Sequence, residues 1–229
     1  MSDPDYAAIY QTRADDYDVL VRREDYQQNI LPALQRVRPL DGLDVVELGA
    51  GTGRLTTLLQ PLVKSIRAYD ASAHMLEVAT ARLRSLGGEN WSVQVAKHED
   101  LPAADSSADL VISGWSLCYA YLWGEGRAGL ETVLQQIDRV LRPGGTLIVL
   151  ETLGTGCETP CPPPALAGYF AALAELGFRH TAIRTDYRFE SLEEAERITR
   201  FFFGEAMAQA VQANHWQILP ECTGLWWRP

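Results

Sequence analysis

The sequence predicts an α/β protein built on one mostly parallel sheet covered on both faces, and three observations predict it. From residue 43 onward, short β-rich runs alternate with helical patterns, the arrangement that right-handed crossovers between parallel strands produce. The runs are apolar nearly throughout, as expected of strands buried on both sides. The first of them, within DVVELGAGTGRL (44–55), ends in an acid followed by three alternating glycines. Such a turn brings backbone close to a ligand at the carboxyl end of a strand.

The elements follow in order. LDVVEL (43–48) is the first strand and RLTTLLQPL (54–62) its helix. SIRAYD (65–70) is the second strand, and the helix after it sets Leu76, Ala79, Leu83 and Leu86 on one face before Gly87 and Gly88 stop it. WSVQVA (91–96) and DLVISG (109–114) are the third and fourth strands. LETVLQQIDRVL (130–141) is an amphipathic helix closed by Pro143, Gly144 and Gly145, and TLIVLE (146–151) is the fifth strand. A helix over 164–178, a strand over 180–189, a mostly helical charged run over 191–213 and a last strand over 221–228 complete the pattern. No internal repeat is visible, and the proline-rich loop near Pro160 precedes more sheet pattern, so the chain reads as one domain.

Composition narrows the function classes. A net charge of −10 argues against a general nucleic-acid binder, which needs a basic stripe to displace counterions. The first residues carry no cationic, apolar leader, and no apolar run reaches membrane-spanning length, so a soluble, cytoplasmic protein is expected. Four cysteines are few for a disulfide framework. Cys157 and Cys161 form C-x₃-C, not the tight paired spacing of zinc ligands, so no metal is assigned.

The glycine turn discriminates between ligands. A dinucleotide site wants G-x-G-x-x-G. Counted from Gly49 the third glycine would be Arg54, and counted from Gly51 it would be Thr56, so neither register fits. The pattern present is E-x-G-x-G-x-G, with Glu47 two residues before Gly49. The alternative is a plain turn with no ligand.

This turn, together with AYDAS-AHMLEVA (68–79), EDLPAADSSADLVIS (99–113) and RVLRPGGTLIVLE (139–151), resembles the class I S-adenosylmethionine-dependent methyltransferases, in particular the small-molecule subgroup that includes quinone-biosynthesis enzymes. The resemblance implies a seven-stranded Rossmann-like sheet in the order 3-2-1-4-5-7-6 with the last strand antiparallel. It also implies an N-terminal helical cap over residues 1–40, a cofactor-binding half over 41–152 and a substrate-side half over 153–229. The implied function is transfer of a methyl group from S-adenosylmethionine to a small molecule. RNA methylation, or a non-catalytic cofactor-binding module, are the alternatives. Monomer and homodimer both stay open.

By the same resemblance, Gly49, Ala50, Gly51 and Gly53 wrap the methionine end, with Glu47 ordering the turn and reaching the amino group. Asp70, ending the second strand, accepts the ribose hydroxyls, since Ser72 already caps the next helix. Ala71 and Met75 are expected toward the cofactor, Met75 either against the adenine or in the core, and Ser113 at the end of the fourth strand is expected to bind the cofactor as well. Relatives carry an aspartate after the third strand to accept from the adenine amino group. Here Lys97 stands there, and a lysine has donors only. Glu99, another acceptor or backbone carbonyls must take over, or the alignment slips; His98 offers its backbone N–H.

Aromatic residues gather where the acceptor should bind: Tyr6, Tyr10, Tyr17 and Tyr26 before the first strand, and Trp115, Tyr119, Tyr121 and Trp123 after the fourth. They suit a sulfonium, because ring faces attract cations, or they pack the cap. Tyr17 and Arg22 are the cap residues expected at the site, Arg22 to pair with the cofactor carboxylate or else to be a solvated charge. Candidate bases are His98, Glu151, His215 and Glu221, with His98, Tyr17 and Glu151 preferred as catalytic groups. The Phe201–Phe203 run with Trp216, Trp226 and Trp227 reads as core between the last helix and strand.

Overall fold

The computed structural model describes residues 5–229; residues 1–4 of the expected cap lie outside them. Seven strands form one sheet in the order β3-β2-β1-β4-β5-β9-β6. They are β1 (Asp44–Leu48), β2 (Ser65–Asp70), β3 (Trp91–Val95), β4 (Ala108–Gly114), β5 (Leu141–Thr155), β6 (Arg179–Arg184) and β9 (Glu221–Arg228). β1 to β5 pair in parallel, and β9 runs antiparallel between β5 and β6. The predicted order and antiparallel last strand are therefore present, with β9 as the seventh strand of the main sheet.

Strand pleat explains the apolar runs. Successive residues point to opposite faces, so Val46, Leu48, Val111, Leu147 and Val149 enter one core while Val45, Leu110, Ile112, Ile148 and Leu150 enter the other. The first core is closed by α7 (Arg127–Val140), through Leu130, Val133, Leu134 and Ile137, and by α8 (Ala167–Glu175), through Tyr169 and Leu173. The second is closed by α3 (Ile30–Val37) and α4 (Arg54–Leu59), through Ile30, Leu34, Leu55 and Leu59. At roughly 25 cal/mol per Å² of apolar surface, these two interfaces are the main source of cohesion. α5 (Ala73–Leu86) begins where the Ser72 hydroxyl accepts from the Met75 N–H at 3.3 Å, and ends at Gly87 with φ +77°.

Three predicted elements change shape. The strand expected over 180–189 stops at Arg184, because the Asp186 carboxylate turns inward to take the Arg184 guanidinium at 2.8 Å and the Glu221 N–H at 2.9 Å. Its remainder, β7 (Tyr187–Arg188), pairs with β8 (Ile218–Leu219) in a separate two-stranded sheet. The helical run after it breaks at Gly204, φ +85°, into α9 (Leu192–Phe203) and α10 (Glu205–Asn214). β5 starts at Leu141, earlier than expected: Leu141 pairs with Ala108 before the register shifts toward Leu110.

The aromatic run of the last helices also lands elsewhere. Phe202, Phe203 and Trp216 pack in a satellite cluster with Leu20, Tyr187 and Leu219, whereas Trp226 belongs to the main core and stacks on Phe170 at 4.7 Å. Cys157 and Cys161 are joined by a disulfide across the loop after β5, a single local bridge where the sequence reading assigned none. Among the described residues no helix is long and apolar enough to cross a membrane.

Candidate active site

α1 (Tyr6–Thr12) and α2 (Ala14–Arg23) lie across the carboxyl ends of the strands, and α6 (Cys118–Leu122) follows the end of β4. Together they enclose a cavity of about 650 Å³ at the point where strand order reverses between β1 and β4, the place where open parallel sheets bind ligands.

One end of the cavity is made of backbone. Gly49, Gly51 and Gly53 have φ of +67°, +54° and +81°, which side chains with a Cβ rarely adopt. A Cβ on Gly49 would lie 1.9 Å from the Ser116 hydroxyl, and one on Gly53 would lie 3.0 Å from the Ala79 Cβ. So Gly49 lets β4's end close on the turn, and Gly53 lets α4 close on α5. Asp70 stands beside the turn: Oδ2 accepts from the Gly51 N–H and Oδ1 from the Ser72 N–H, both at 2.8 Å. Each oxygen keeps a second lone pair. Burial pushes the Asp70 carboxyl up, and the two backbone N–H groups oppose that shift. The Ser72 hydroxyl also donates to the Tyr10 carbonyl at 2.8 Å, tying α1 to the same corner.

The other end is made of rings. Tyr10, Tyr17, Trp115, Tyr119 and Trp123 line it. Tyr10 packs edge-on against Tyr17 at 5.4 Å, its hydroxyl meets that of Tyr119 at 2.8 Å, and Tyr119 stacks on Trp123 at 4.0 Å. Burial raises the pKa of all three tyrosines. Trp115 is itself strained, with φ +52°, and is held by its N–H to the Leu150 carbonyl at 2.7 Å and by the Arg54 guanidinium 4.0 Å over its ring. Arg54 in turn pairs with Glu24 at 2.6 Å.

Between the two ends His98 crosses from the loop after β3, its Nε2 lying 3.1 Å from the Ser116 hydroxyl. Burial lowers the His98 pKa, while Asp70 and Glu99 pull it back up.

Of the residues singled out in the sequence, Gly49, Gly51, Asp70, Ala71, Met75, His98, Glu99 and Tyr17 are brought together around the cavity, with Lys97 and the rings of Tyr10, Trp115, Tyr119 and Trp123. The others stand apart from its wall. Glu47 is buried beneath the turn, where Oε2 accepts from the Thr56 hydroxyl at 2.6 Å and burial pushes its pKa to about 8. Ala50 packs inward against Ala68 and Leu76, and Gly53 serves helix packing.

Ser113 is fully buried within β4, so the wall is formed by the next residues, Gly114 to Ser116. Arg22 lies on the exposed side of α2, where Asp18 holds it at 3.1 Å. Glu151 is buried behind α6, accepting from the Cys118 N–H at 2.9 Å and the Tyr169 hydroxyl at 3.2 Å, with its pKa raised by burial to about 7. Glu221 is likewise buried at the start of β9, and His215 ends α10. Tyr6, Tyr26 and Tyr121 are not part of the lining.

Two residues the sequence reading passed over belong to the site. Ser116 is one; the signal for it was its place just past an apolar strand end facing a glycine turn. Arg54, read only as a failed dinucleotide glycine, is the other; it stands outside the wall and supports it through the Trp115 ring.

The donor set fits S-adenosylmethionine. Among the described residues the charged lining is Asp70, Glu99 and Glu125 against Lys97 alone, an acid excess with ring faces that suits a sulfonium cation and hydroxyl donors. A pyrophosphate would meet the opposite of what it needs.

Comparison with known proteins agrees. Residues 46–149 match the family model described as Methyltransferase domain. The uncharacterized protein YafE of Escherichia coli is 35% identical over 108 residues, 47% of this chain and 49% of that protein. The demethylmenaquinone methyltransferase of Lactococcus lactis is 30% identical over 150 residues, 63% of this chain and 57% of that one. The chain thus spans about half the length of the curated relatives it matches. In fold it is similar to the YcgJ protein of Bacillus subtilis, with a TM-score of 0.60 at 16% identity over 88% of this chain and 97% of that one. It is also similar to an S-adenosylmethionine-dependent methyltransferase from Aquifex aeolicus, with a TM-score of 0.56 at 16% identity, covering 86% and 88%. Over residues 46–149, somewhat less than half of its length, the chain is similar to methyltransferase domains.

Proposed function

We propose that this protein transfers a methyl group from S-adenosylmethionine to a small, largely apolar acceptor. The observation that carries the reading is Asp70, held by the Gly51 and Ser72 N–H groups beside a glycine turn that opens on an acid-lined, aromatic cavity. Quinone-biosynthesis methyltransferases among the relatives support a small acceptor.

The cofactor supplies an electrophilic methyl group on a sulfonium. The chain's own contribution is alignment and exclusion of water. The backbone of 49–51 holds the amino acid end, and Asp70 accepts the ribose hydroxyls with its remaining lone pairs. Met75 and the Lys97–Glu99 loop border the adenine, with Glu99 as the carboxylate acceptor on that side. Glu47 acts from beneath, fixing the turn through Thr56. α1 and α2 cover the site, and Tyr10, Tyr17, Trp115, Tyr119 and Trp123 enclose the acceptor.

Calorimetry tests the first half of this reading. S-adenosylhomocysteine should bind one to one while NAD gives no heat; the reverse result would end it. Incubation with methyl-labelled cofactor and a cell extract tests the second half. Label should appear in a small organic product; label in RNA alone, with binding that weakens steeply in salt, would replace the acceptor assigned here.

A further inference from the structure

Resting on the methyl-transfer reading above, we propose that Ser116 and His98 form the proton path for the acceptor, and that the acceptor is an uncharged aromatic hydroxyl compound. Three observations converge on it.

The first is geometry. Ser116 lines the cavity between the glycine turn and the ring-lined end, and its hydroxyl is 3.1 Å from His98 Nε2. Ser116 would touch the acceptor; His98 stands one hydrogen bond further on. The second is the proton affinity of the groups around it. Buried His98 is neutral near pH 7, so it can accept a proton, and Asp70 on β2 and Glu99 beside it stabilise the imidazolium that forms. Lys97 is the cation on the same loop, while Tyr10, Tyr17 and Tyr119 from the cap and α6 stay protonated and do not compete as bases. Glu47, Glu151 and Glu221, buried acids of raised pKa near these strand ends, lie outside the wall.

The third is charge at the acceptor end. Among the described residues no arginine lines it. Arg13 is held by Asp16, Arg22 and Arg82 by Asp18, and Arg54 by Glu24 under the Trp115 ring. A carboxylate or phosphate acceptor would be desolvated there without a partner, whereas a flat neutral ring finds five aromatic side chains. An amine could be methylated without a base; a neutral hydroxyl needs one.

In the step, the acceptor O–H bond breaks and its proton passes to the Ser116 oxygen as the Ser116 proton passes to His98 Nε2. The freed oxygen pair forms the bond to the methyl carbon, and the carbon–sulfur pair leaves on sulfur as a neutral thioether. No oxidant or reductant enters.

Two readouts test this. In the first, 4-nitrophenol is titrated in the presence of the protein saturated with S-adenosylhomocysteine. Its phenolate absorption band should appear about one pH unit earlier than in free solution, and Ser116→Ala and His98→Gln should each remove that shift. In the second, labelled methyl transfer is measured at saturating cofactor to catechol and esculetin, beside protocatechuate as the carboxylate and dopamine as the ammonium counterpart. The neutral compounds should be labelled, with rates falling about 100-fold in either variant and recovering at alkaline pH, where the acceptor ionises unaided. The proposal is overturned by a phenolate shift that survives both substitutions, by preferred labelling of protocatechuate or dopamine, or by no labelling of the neutral compounds by cofactor-loaded protein. Failure of the wild-type protein to bind S-adenosylhomocysteine would instead remove the methyl-transfer reading on which this rests.

Discussion

The two ends of the cavity are built by different means. The end at β1 and β2 is a backbone structure: three glycines of positive φ, one carboxylate and two N–H groups fix its shape. The end under α1, α2 and α6 is a side-chain structure, in which rings from distant segments meet. A backbone site tolerates almost no added volume. A side-chain site can exchange members while keeping its character.

The largest effect should come from Gly49→Ala, because the new Cβ would collide with Ser116 at 1.9 Å on a backbone of φ +67°. Calorimetry with S-adenosylhomocysteine should show affinity reduced by about 100-fold or more, while Trp123→Ala at the other end leaves it within about threefold. Equal losses would erase the distinction between the two ends.

Next comes Asp70→Ala, expected to weaken cofactor binding by about tenfold or more through lost charge-assisted hydrogen bonds. Its counterpart, Tyr119→Phe, removes only the bond to Tyr10. That should cost about 1 kcal/mol of stability in denaturant unfolding and leave cofactor affinity alone. Unchanged affinity in Asp70→Ala would refute its assignment.

The smallest effect concerns pH. Burial raises the folded-state pKa of Glu47 from 4.5 to about 8. Between those values the unfolded chain has released a proton that the folded chain keeps, so stability declines as pH rises through that window. Glu151, raised to about 7, acts in the same direction. Scanning calorimetry should show the melting temperature falling from pH 5 to 8. Glu47→Gln should flatten that slope, and Glu99→Gln, exposed at the cavity, should not.

The contrast also explains what was legible in advance. The strands, the glycine turn and the place of Asp70 at a strand end could be read because they depend on residues close together in the chain, whereas the sheet order was implied only by the family resemblance. Glu47 was readable as important but not as buried beneath the turn, since only the packing of Thr56 against it decides that. Arg22 was misplaced because periodicity along α2 does not say which face meets the cavity; Asp18 took it instead. Ser113 and Ser116 lie three residues apart at the end of one strand, and the turn after Gly114, with Trp115 at φ +52°, sends the second rather than the first into the site. The Cys157–Cys161 bridge depends on a loop path that spacing alone does not specify.

By itself, the sequence determined the strands, their apolar faces, the glycine turn and the carboxylate beside it, because local periodicity and backbone freedom act within a few residues. Only the tertiary structure decided the ring-lined end. Tyr10 and Tyr119, Ser116 and His98, and Arg54 and Trp115 are far apart in the chain, and their meeting follows from how the helices close over the strand ends.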